Sequence, residues 1–400
     1  MPTVAHASLT TPHSAIREIG ALAATRADAI RLEIGDPAFV TAPHVIEAAA
    51  EAATLGFTRY TPSAGLPSLR EQLVAKLARV NAIDCSPDEV IVTTGGCGAI
   101  FAALLVLLDP GDEVLIPDPG WPNYRAMVHM LNARPLPYRL RRDRLFEPDF
   151  ESLEQQITPR TKVLLTNSPG NPTGSVFSRR VTEELARVAA KHDLWLISDE
   201  CYDQIVFEGE HVSASAYTDP ERLVSVFSFS KTYAMTGWRV GYLVAQPDLA
   251  SSIAKTQESV VLNCASVSQK AAEAALSGPQ DHLESMRRFY QDRRDVAVAL
   301  LEAEGIPHVR PRGAFYLMVE LPAGVESHSF ALALFQRTAV AVVPGTGFGA
   351  AGEGTVRVSL SVAPDQLEEG IRRLSKTIHE LEADPAEVLA AAGRHRAANR

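Results

Sequence analysis

The chain has 400 residues, of which 46% are hydrophobic and 22% are charged. This is the composition of a soluble globular protein, and the length predicts two domains rather than one ordinary core. The 38 basic and 48 acidic side chains give a net charge of −10, which repels polyphosphate and argues against nucleic-acid binding through bulk charge. An anionic ligand therefore requires a local binding site.

Cysteine content and the chain start indicate the cellular setting. Four cysteines (Cys85, Cys97, Cys201 and Cys264) are too few for a disulfide framework, and they form no CxxC pair, so we expect no metal site. The segment before residue 12 lacks the basic start and apolar run of a signal peptide. The longest apolar run, Ala99–Leu108, is too short to span a bilayer. The expected location is the cytoplasm.

Strand and helix patterns alternate through the middle of the chain. The predicted strands are Glu89–Thr94, Glu113–Ile116, Lys162–Thr166, Leu194–Ile197, Leu223–Phe229 and Val240–Val244. A helix over Ala99–Leu108 is expected to open at Gly98, after Gly95–Cys97, and a second over Val181–Lys191 to be capped by Ser178. Short apolar strands separated by helices predict an α/β fold, with a mostly parallel sheet sandwiched by helices.

The last third of the chain has a different pattern. Arg287–Leu301 predicts an amphipathic helix, and Gly313–Leu321 and Thr355–Leu360 predict strands. A stripe of Leu367, Ile371, Leu374, Ile378 and Leu381 predicts the core face of another helix, and the tail from Ala386 a terminal one. We expect a smaller α+β domain over residues 290–400, a large domain over 47–289, and an N-terminal arm over 1–46 that also joins the small domain.

Polar residues follow four of the predicted strands. They are Gly95 with Gly96, Asn171, Asp199 with Tyr202, and Lys231. Because ligands of open parallel sheets bind beyond the carboxyl ends of the strands, we expect these residues to meet at one site. That site combines a carboxylate, a phenol, an amide, an amine and a glycine-rich turn.

The segment Ser228–Gly241 is the most informative. Ser228 lies three residues before Lys231, and Arg239 lies eight after it. A lysine among apolar residues can act as a nucleophile, while a serine hydroxyl and an arginine can hold a phosphate. A Schiff-base cofactor such as pyridoxal phosphate requires this combination. The alternative is a buried structural lysine paired with Asp199, and Lys231 alone does not decide between the two.

The other polar residues suit the same cofactor. A buried Asp199 would keep the ring nitrogen protonated, and Tyr202 and Asn171 would bind the ring oxygen. Trp121 would stack on the ring, and the turn at Gly96 would offer backbone N–H groups to the phosphate. Each of these residues alone also has a purely structural interpretation.

Together the motifs resemble those of class I pyridoxal-phosphate-dependent aminotransferases, the aspartate aminotransferase superfamily of fold type I. The motifs are Ser228-x-x-Lys231 followed by Arg239 in a G-x-R-x-G run, the Asn-Pro-Thr-Gly run at 171–174, and Asp199-Glu200-x-Tyr202. They occur in the family's order, and the resemblance extends from about Ile34 to Leu360.

The resemblance implies a role for each matching residue. Lys231 would form the Schiff base and carry the proton, with Asp199 on the pyridinium nitrogen and Tyr202 on the ring oxygen as the other catalytic residues. The remaining cofactor contacts would be Asn171, Trp121, Gly96, Cys97, Ser228, Arg239 and, reaching the partner subunit's phosphate in a homodimer, Tyr60. The substrate would be bound by Arg357, through its α-carboxylate, and by Gly35, Asn171 and Trp121. From its position alone, Arg357 is equally well a solvated strand residue.

The implied reaction is transamination between an L-amino acid and a 2-oxo acid. In bacterial relatives that prefer aspartate, a lysine commonly stands where this chain has Cys97, and others have an arginine in the region matching 251–276, where this chain has none. A second substrate carboxylate would lack a partner, so we expect a neutral or aromatic donor. A lyase or decarboxylase on the same fold is an alternative. A regulator joined to a DNA-binding domain is disfavoured by the net charge and by the short arm before Ile34.

Overall fold

The computed structural model describes residues 3–11 and 14–389. Its strands are β1 (Ile30–Arg31), β2 (Val90–Thr93), β3 (Glu113–Asp118), β4 (Arg134–Arg141), β5 (Glu147–Pro148), β6 (Thr161–Asn167), β7 (Trp195–Asp199), β8 (Leu223–Ser228), β9 (Gly241–Ala245), β10 (His308–Val309), β11 (Tyr316–Glu320), β12 (Val340–Ala341), β13 (Val343–Pro344) and β14 (Thr355–Ser359). Its α-helices are α1 (His6–Thr10), α2 (Ala15–Ala23), α3 (Pro43–Thr54), α4 (Pro67–Lys76), α5 (Gly95–Leu107), α6 (Pro122–Met130), α7 (Phe150–Gln155), α8 (Arg179–Lys191), α9 (Phe229–Thr232), α10 (Pro247–Val261), α11 (Ser266–Ser277), α12 (Asp281–Ala303), α13 (Ser327–Thr338) and α14 (Pro364–Ala383). Within these ranges, no helix combines the length and the apolar character needed to cross a membrane.

The large sheet has the strand order β2-β9-β8-β7-β6-β3-β4-β5. Strands β4, β3, β6, β7 and β8 run parallel, β9 is antiparallel to both β8 and β2, and β5 is antiparallel to β4. Strand β2 therefore points the same way as β8. The predicted, mostly parallel sheet is confirmed, and the carboxyl ends of β2, β3, β6, β7 and β8 lie along one edge.

Helices cover both faces of this sheet because successive side chains of a strand point to opposite sides. On β2, Val90 and Val92 pack with α3, α4 and α11, whereas Ile91 packs on the opposite face with α5, α6 and α10. Over β6 and β7, Leu164 and Leu196 pack against α8. Strands buried on both sides explain the nearly continuous apolar runs in the sequence.

The start of helix α5 differs from the sequence expectation. The predicted start at Gly98 is wrong, because the helix already begins at Gly95. Gly95 has φ +78°, a left-handed conformation that glycine adopts easily, so the chain turns directly from β2 into the helix. The free N–H groups of the first turn thus belong to the glycine pair and Cys97. The predicted cap of α8 is confirmed, since the Ser178 side chain accepts a hydrogen bond from the Val181 N–H.

A smaller sheet and its helices form the other part of the fold. Its order is β10-β11-β14-β13, all antiparallel, and β1 pairs in parallel with β12 nearby. The predicted stripe on α14 is confirmed, because all five of its residues are at most 1% exposed within the core beside this sheet. The proposed domain boundaries at 46/47 and 289/290 fall inside α3 and α12, so they remain predictions. The predicted terminal helix from Ala386 extends outside the described residues.

Candidate active site

A cavity of about 610 Å³ opens at the carboxyl edge of the large sheet. The candidate residues that line it are Gly35, Gly96, Cys97, Trp121, Asn171, Asp199, Tyr202, Ser228, Lys231, Arg239 and Arg357. Tyr60 is the exception, since it lies outside this lining and is 82% exposed. The fold therefore brings together residues that are far apart in the sequence, from β1 to β14.

Lys231 lies in the short helix α9, directly after β8. Ser228 caps this helix by accepting a hydrogen bond from the Ser230 N–H at 3.1 Å. The Lys231 Nζ donates a hydrogen bond to the Gly35 carbonyl oxygen at 2.6 Å and lies 5.7 Å from the centroid of the Phe315 ring. The sequence left open an ion pair with Asp199, but the amine bonds to a backbone carbonyl instead, so a ligand can displace it without separating two charges.

Asp199 ends strand β7 and is 5% exposed. Its Oδ2 accepts a hydrogen bond from the Tyr124 hydroxyl at 2.5 Å, and its Oδ1 accepts one from the Cys201 N–H at 3.1 Å. Burial raises the pKa of Asp199, while these hydrogen bonds favour the carboxylate and oppose the rise. Burial also raises the pKa of Tyr124 well above its ordinary value, so its phenol stays protonated and able to donate.

Asn167, the last residue of β6, connects the loop that carries Asn171 to the end of β7. Its amide nitrogen donates to the Asp199 carbonyl oxygen at 3.0 Å, and its amide oxygen accepts the Asn171 N–H at 2.8 Å. Asn167 is 6% exposed and also lines the cavity. It therefore fixes the position of Asn171 relative to the end of β7.

Tyr202 and Arg357 are connected through Tyr316. The hydroxyl groups of Tyr202 and Tyr316 lie 3.1 Å apart, and the Arg357 guanidinium lies over the Tyr316 ring, 4.2 Å from its centroid. Burial raises the pKa of Tyr202 well above its ordinary value, which keeps the hydroxyl protonated. Tyr202 and Arg357, at the Arg357 end of the cavity, are thus connected through their shared contacts with Tyr316.

Arg357, on β14, is 1% exposed and therefore not a solvated strand residue. Its Nη1 donates to Asn171 Oδ1 at 3.0 Å and its Nη2 to the Glu33 carbonyl oxygen at 2.7 Å, while its Nε is buried without a hydrogen-bond partner in the described structure. Burial lowers the pKa of this guanidinium. A buried cation bonded to neutral oxygens, with a donor left open, is suited to an anionic ligand.

Arg239 and the start of α5 form the opposite end of the cavity. The exposed guanidinium donates to the backbone oxygens of Thr236 at 2.9 Å and Thr94 at 3.3 Å, so these bonds leave its charge unneutralised. A Cβ added at Gly96 would come within 2.6 Å of Cys201 Sγ, which shows how closely α5 approaches the turn after β7. An arginine beside the N-terminus of a helix is a favourable site for a phosphate.

These groups fit pyridoxal phosphate. The cavity volume lies in the range of about 300–1,000 Å³ typical of small-molecule sites. An amine, a buried carboxylate and a phosphate-binding end all face it, and these are the three contacts that this cofactor requires. Arg357 offers a second place in the same cavity where an anion could bind.

Several lining residues were not predicted from the sequence. Among them are Tyr124, Asn167 and Tyr316 around the buried groups, and Ser14, Ile16 and Arg17 from the N-terminal arm. Tyr124 stands 75 positions from Asp199, and Tyr316 stands 114 positions from Tyr202, so no local pattern indicates either contact. The only signal for Asn167 was its position at the end of a predicted strand.

A mostly parallel sheet with a lysine after one strand and a buried carboxylate at the end of the neighbouring strand is typical of pyridoxal-phosphate enzymes of fold type I. The family model described as aminotransferase class I and II matches residues 27–374, and the chain belongs to this family. It is therefore a pyridoxal-phosphate-dependent aminotransferase.

Individual relatives agree with this assignment. The chain is 38% identical to the aspartate/prephenate aminotransferase of Thermus thermophilus over 354 residues, which is 88% of this chain and 91% of that protein. The solved aspartate aminotransferase from Thermus thermophilus with maleate has a TM-score of 0.90 and 36% identity, covering 94% of this chain and all of that one. An aromatic aminotransferase from Pyrococcus horikoshii has a TM-score of 0.86 and 35% identity, covering 92% and 99%.

Proposed function

We propose that the protein transfers the amino group of a neutral or aromatic L-amino acid to a 2-oxo acid, with Lys231, Asp199 and Tyr202 as catalytic residues. The observation that carries the assignment of roles is that one cavity is lined by the Lys231 amine, the buried Asp199 carboxylate and the buried Arg357 guanidinium. In this arrangement the Asp199 carboxylate would face the cofactor, and the Arg357 guanidinium would face the substrate.

Each residue has one task in this proposal. When bound, pyridoxal phosphate supplies the electron sink that makes the substrate Cα proton acidic. Lys231 would hold the cofactor through its aldehyde, and its free amine would move the proton at the substrate Cα. Asp199 would keep the ring nitrogen protonated, and Tyr202 with Asn171 would bind the ring oxygen. Arg357 and Gly35 hold the substrate carboxylate, so that Cα faces the lysine.

Trp121 and the phosphate contacts hold the cofactor in place. The indole, at the end of the loop after β3, would cover one face of the ring. It lies nearly perpendicular to the Tyr124 ring, with a centroid distance of 5.3 Å. Gly96, Cys97, Ser228 and Arg239 would bind the phosphate. The backbone N–H groups at the start of α5 would also bind the phosphate, and this requires only that the residues there are small.

The donor preference rests on the charges in the cavity. Cys97 is neutral, because burial raises the pKa of its thiol, and Ile16 and Ile100 add apolar surface to the lining. The cations that line the cavity are Arg17, Lys231, Arg239 and Arg357.

Arg17 is the one lining cation without a proposed role. It is exposed to solvent, so it does not require a carboxylate ligand. A buried cation would require a carboxylate partner. Among the cations that line the cavity, no buried one remains without a role to pair with the second carboxylate of an acidic donor. Relatives named for aspartate and a solved relative named for aromatic amino acids both occur, so the family alone does not select the donor.

We further propose a homodimer in which Tyr60 reaches the phosphate in the partner's site. Its 82% exposure and its place outside the cavity of its own chain support this role. Leu55, Val260 and Val261 are also exposed apolar residues, which favours an interface. The cysteines are free, which supports our placing the protein in the cytoplasm.

Lys231→Ala tests the central assignment. The variant is expected to lose the absorbance of the lysine-bound cofactor, to give no mass adduct after borohydride reduction, and to lose nearly all turnover. Formation of a 2-oxo acid together with the pyridoxamine form of the cofactor, without release of ammonia or carbon dioxide, separates transamination in the wild type from elimination or decarboxylation. Full activity of the alanine variant would overturn the proposal.

A further inference from the structure

A buried ionic cluster lies outside the cavity lining, beneath the turn that follows β7. We name it the Lys76 cluster; it consists of Lys76, Asn81 and Asp203. The Lys76 Nζ lies 2.6 Å from Asp203 Oδ2, and the two side chains are 4% and 5% exposed. Asn81 Oδ1 accepts a hydrogen bond from the same Nζ at 2.8 Å, and its Nδ2 donates to Asp203 Oδ2 at 3.0 Å. Each member thus contacts the other two.

The local backbone is adapted to this contact. Helix α4 ends at Lys76, and the chain continues as a π-helical segment, Leu77–Asn81. Residues five apart lie on different sides of an α-helix, but they are one hydrogen-bonded turn apart in a π-helix. Lys76 and Asn81 therefore lie on one side and reach the same carboxylate. π-helical segments are rare, and those that occur are often found at functional sites.

The cluster connects two segments that carry proposed catalytic residues. Asp203 directly follows Tyr202, and its Oδ1 accepts a hydrogen bond from Thr232 Oγ1 at 3.4 Å. Thr232 in turn directly follows Lys231. The Lys76 ammonium also lies 4.8 Å from the centroid of the ring of Phe227, on the strand that leads into α9. One carboxylate therefore sets the turn after β7 against the helix after β8.

A second buried carboxylate fixes the other part of the same turn. Glu200 Oε2 lies 2.7 Å from His211 Nε2, and its Oε1 accepts hydrogen bonds from Ser213 Oγ at 3.0 Å and from the Ala214 N–H at 3.3 Å. Along the turn, Asp199 and Tyr202 face the cavity, whereas the side chains of Glu200 and Asp203 bind elsewhere. The turn is held at both positions that do not reach the cofactor.

Stability alone does not account for a buried ion pair here. Removing two charges from water is costly, and apolar residues of the same shape are often equally stable. The contacts to Thr232 and Asn81 add directional hydrogen bonds, which fix a geometry that apolar packing does not. Lys76 lowers the pKa of Asp203 despite its burial, so the carboxylate accepts all of these bonds.

We propose that Lys76, Asn81 and Asp203 are positioning residues, which set Tyr202 and Lys231 at their working distance across the cavity. The inference rests on the catalytic roles proposed above for those two residues. It predicts that a loss of the cluster changes the chemistry of the bound cofactor, and not only the stability of the fold.

The test compares Lys76→Met with the wild type and with Leu374→Ala, a core control in α14 that is far from the cluster in the sequence. Measurements are made on folded, cofactor-loaded protein below the unfolding temperature of every variant. For Lys76→Met we expect the pH titration of the cofactor absorbance to shift by about half a unit or more. We also expect kcat to fall by about 10- to 100-fold with little change in KM. Leu374→Ala is expected to lower only the unfolding temperature.

A second variant keeps the inference testable if Lys76→Met does not fold. The double variant Lys76→Met with Asp203→Asn leaves no unpaired buried charge, and it is expected to fold while retaining the shifted titration. An unshifted titration and unchanged kcat in whichever of these variants folds would overturn the inference. Wild-type transamination with a lysine-bound cofactor is measured alongside, so a failure of the proposed function would be recognised separately.

Discussion

The hydroxyl of Tyr124, on the helix α6 that follows β3 in the chain, donates a 2.5 Å hydrogen bond to the carboxylate of Asp199. Both side chains are buried, at 1% and 5% exposure. Without this bond and that of the Cys201 N–H, burial would favour the neutral acid more strongly. A tyrosine that lies 75 positions from Asp199 in the sequence therefore favours the charge that a pyridinium nitrogen requires.

Tyr124→Phe tests this support. Loss of the hydrogen bond to a buried carboxylate should raise the pKa of Asp199 further and weaken cofactor binding by about tenfold, because hydrogen bonds to charged groups contribute about 1.5–3 kcal/mol. The measurement is the dissociation constant of the cofactor, followed by fluorescence. Tyr138→Phe is the matched control, since it removes an equally buried hydroxyl bonded to the Leu165 carbonyl oxygen, away from the cavity. Equal effects in both variants would contradict the prediction.

The raised pKa of Asp199 also predicts a pH dependence in the apoprotein. Because the folded pKa lies above the unfolded value, the folded state holds the proton to a higher pH than the unfolded state does. Wild-type stability should therefore fall, relative to Asp199→Asn, as the pH rises from about 4 through the folded pKa. Thermal unfolding of both apoproteins across this range measures the difference. A difference that is constant with pH, or that changes in the wild type's favour, would refute the sign.

Arg357→Lys should weaken substrate binding without unfolding the protein. Lysine retains the charge but loses the planar fork that binds a carboxylate through two parallel hydrogen bonds and stacks on Tyr316. We expect kcat/KM for the amino donor to fall by about 10- to 100-fold, mainly through KM. Arg337→Lys, at a partly exposed ion pair with Glu380, is the control and should leave the kinetics unchanged. Retention of the wild-type KM in Arg357→Lys would remove Arg357 from the substrate site.

The sequence was sufficient to predict the sheet and the strand ends. Apolar runs are determined locally, and the rule that ligands bind beyond strand carboxyl ends placed Asn171, Asp199 and Lys231 at one edge before their distances were known. The start of α5 was missed by three residues, because the freedom of Gly95 to adopt φ +78° is visible only once the turn is built.

Contacts between distant parts of the chain were beyond sequence reasoning. Lys76 stands 127 positions from Asp203, and a charged residue in an ordinary helix gives no sign that it will be buried. Arg357 was ambiguous for the same reason, since strand alternation shows which side a residue faces but not what covers that side. Burial of a polar group is a property of the assembled layers, not of the segment that carries it.

Cys97→Lys provides the sharpest test of the proposed donor class. A lysine at this position would place an ammonium at the start of α5, facing the cavity. By resemblance to the family, this is the position of the lysine that binds the second carboxylate of aspartate. We expect the ratio of kcat/KM for aspartate to that for phenylalanine to rise by about 10-fold or more, because an unpaired carboxylate gains a partner. Cys97→Met is the control, since it adds a similar length of chain without charge and should not raise the ratio.

The donor preference of the wild type can contradict the proposed donor class. If the wild type already prefers aspartate over alanine, valine and phenylalanine, a cation at a position other than 97 must bind the second carboxylate. Arg17 is then the candidate, since it lines the same cavity, and Arg17→Ala should abolish the preference. A wild type that prefers neutral or aromatic donors, together with a gain of aspartate turnover in Cys97→Lys alone, is the result that the charge distribution of the cavity predicts.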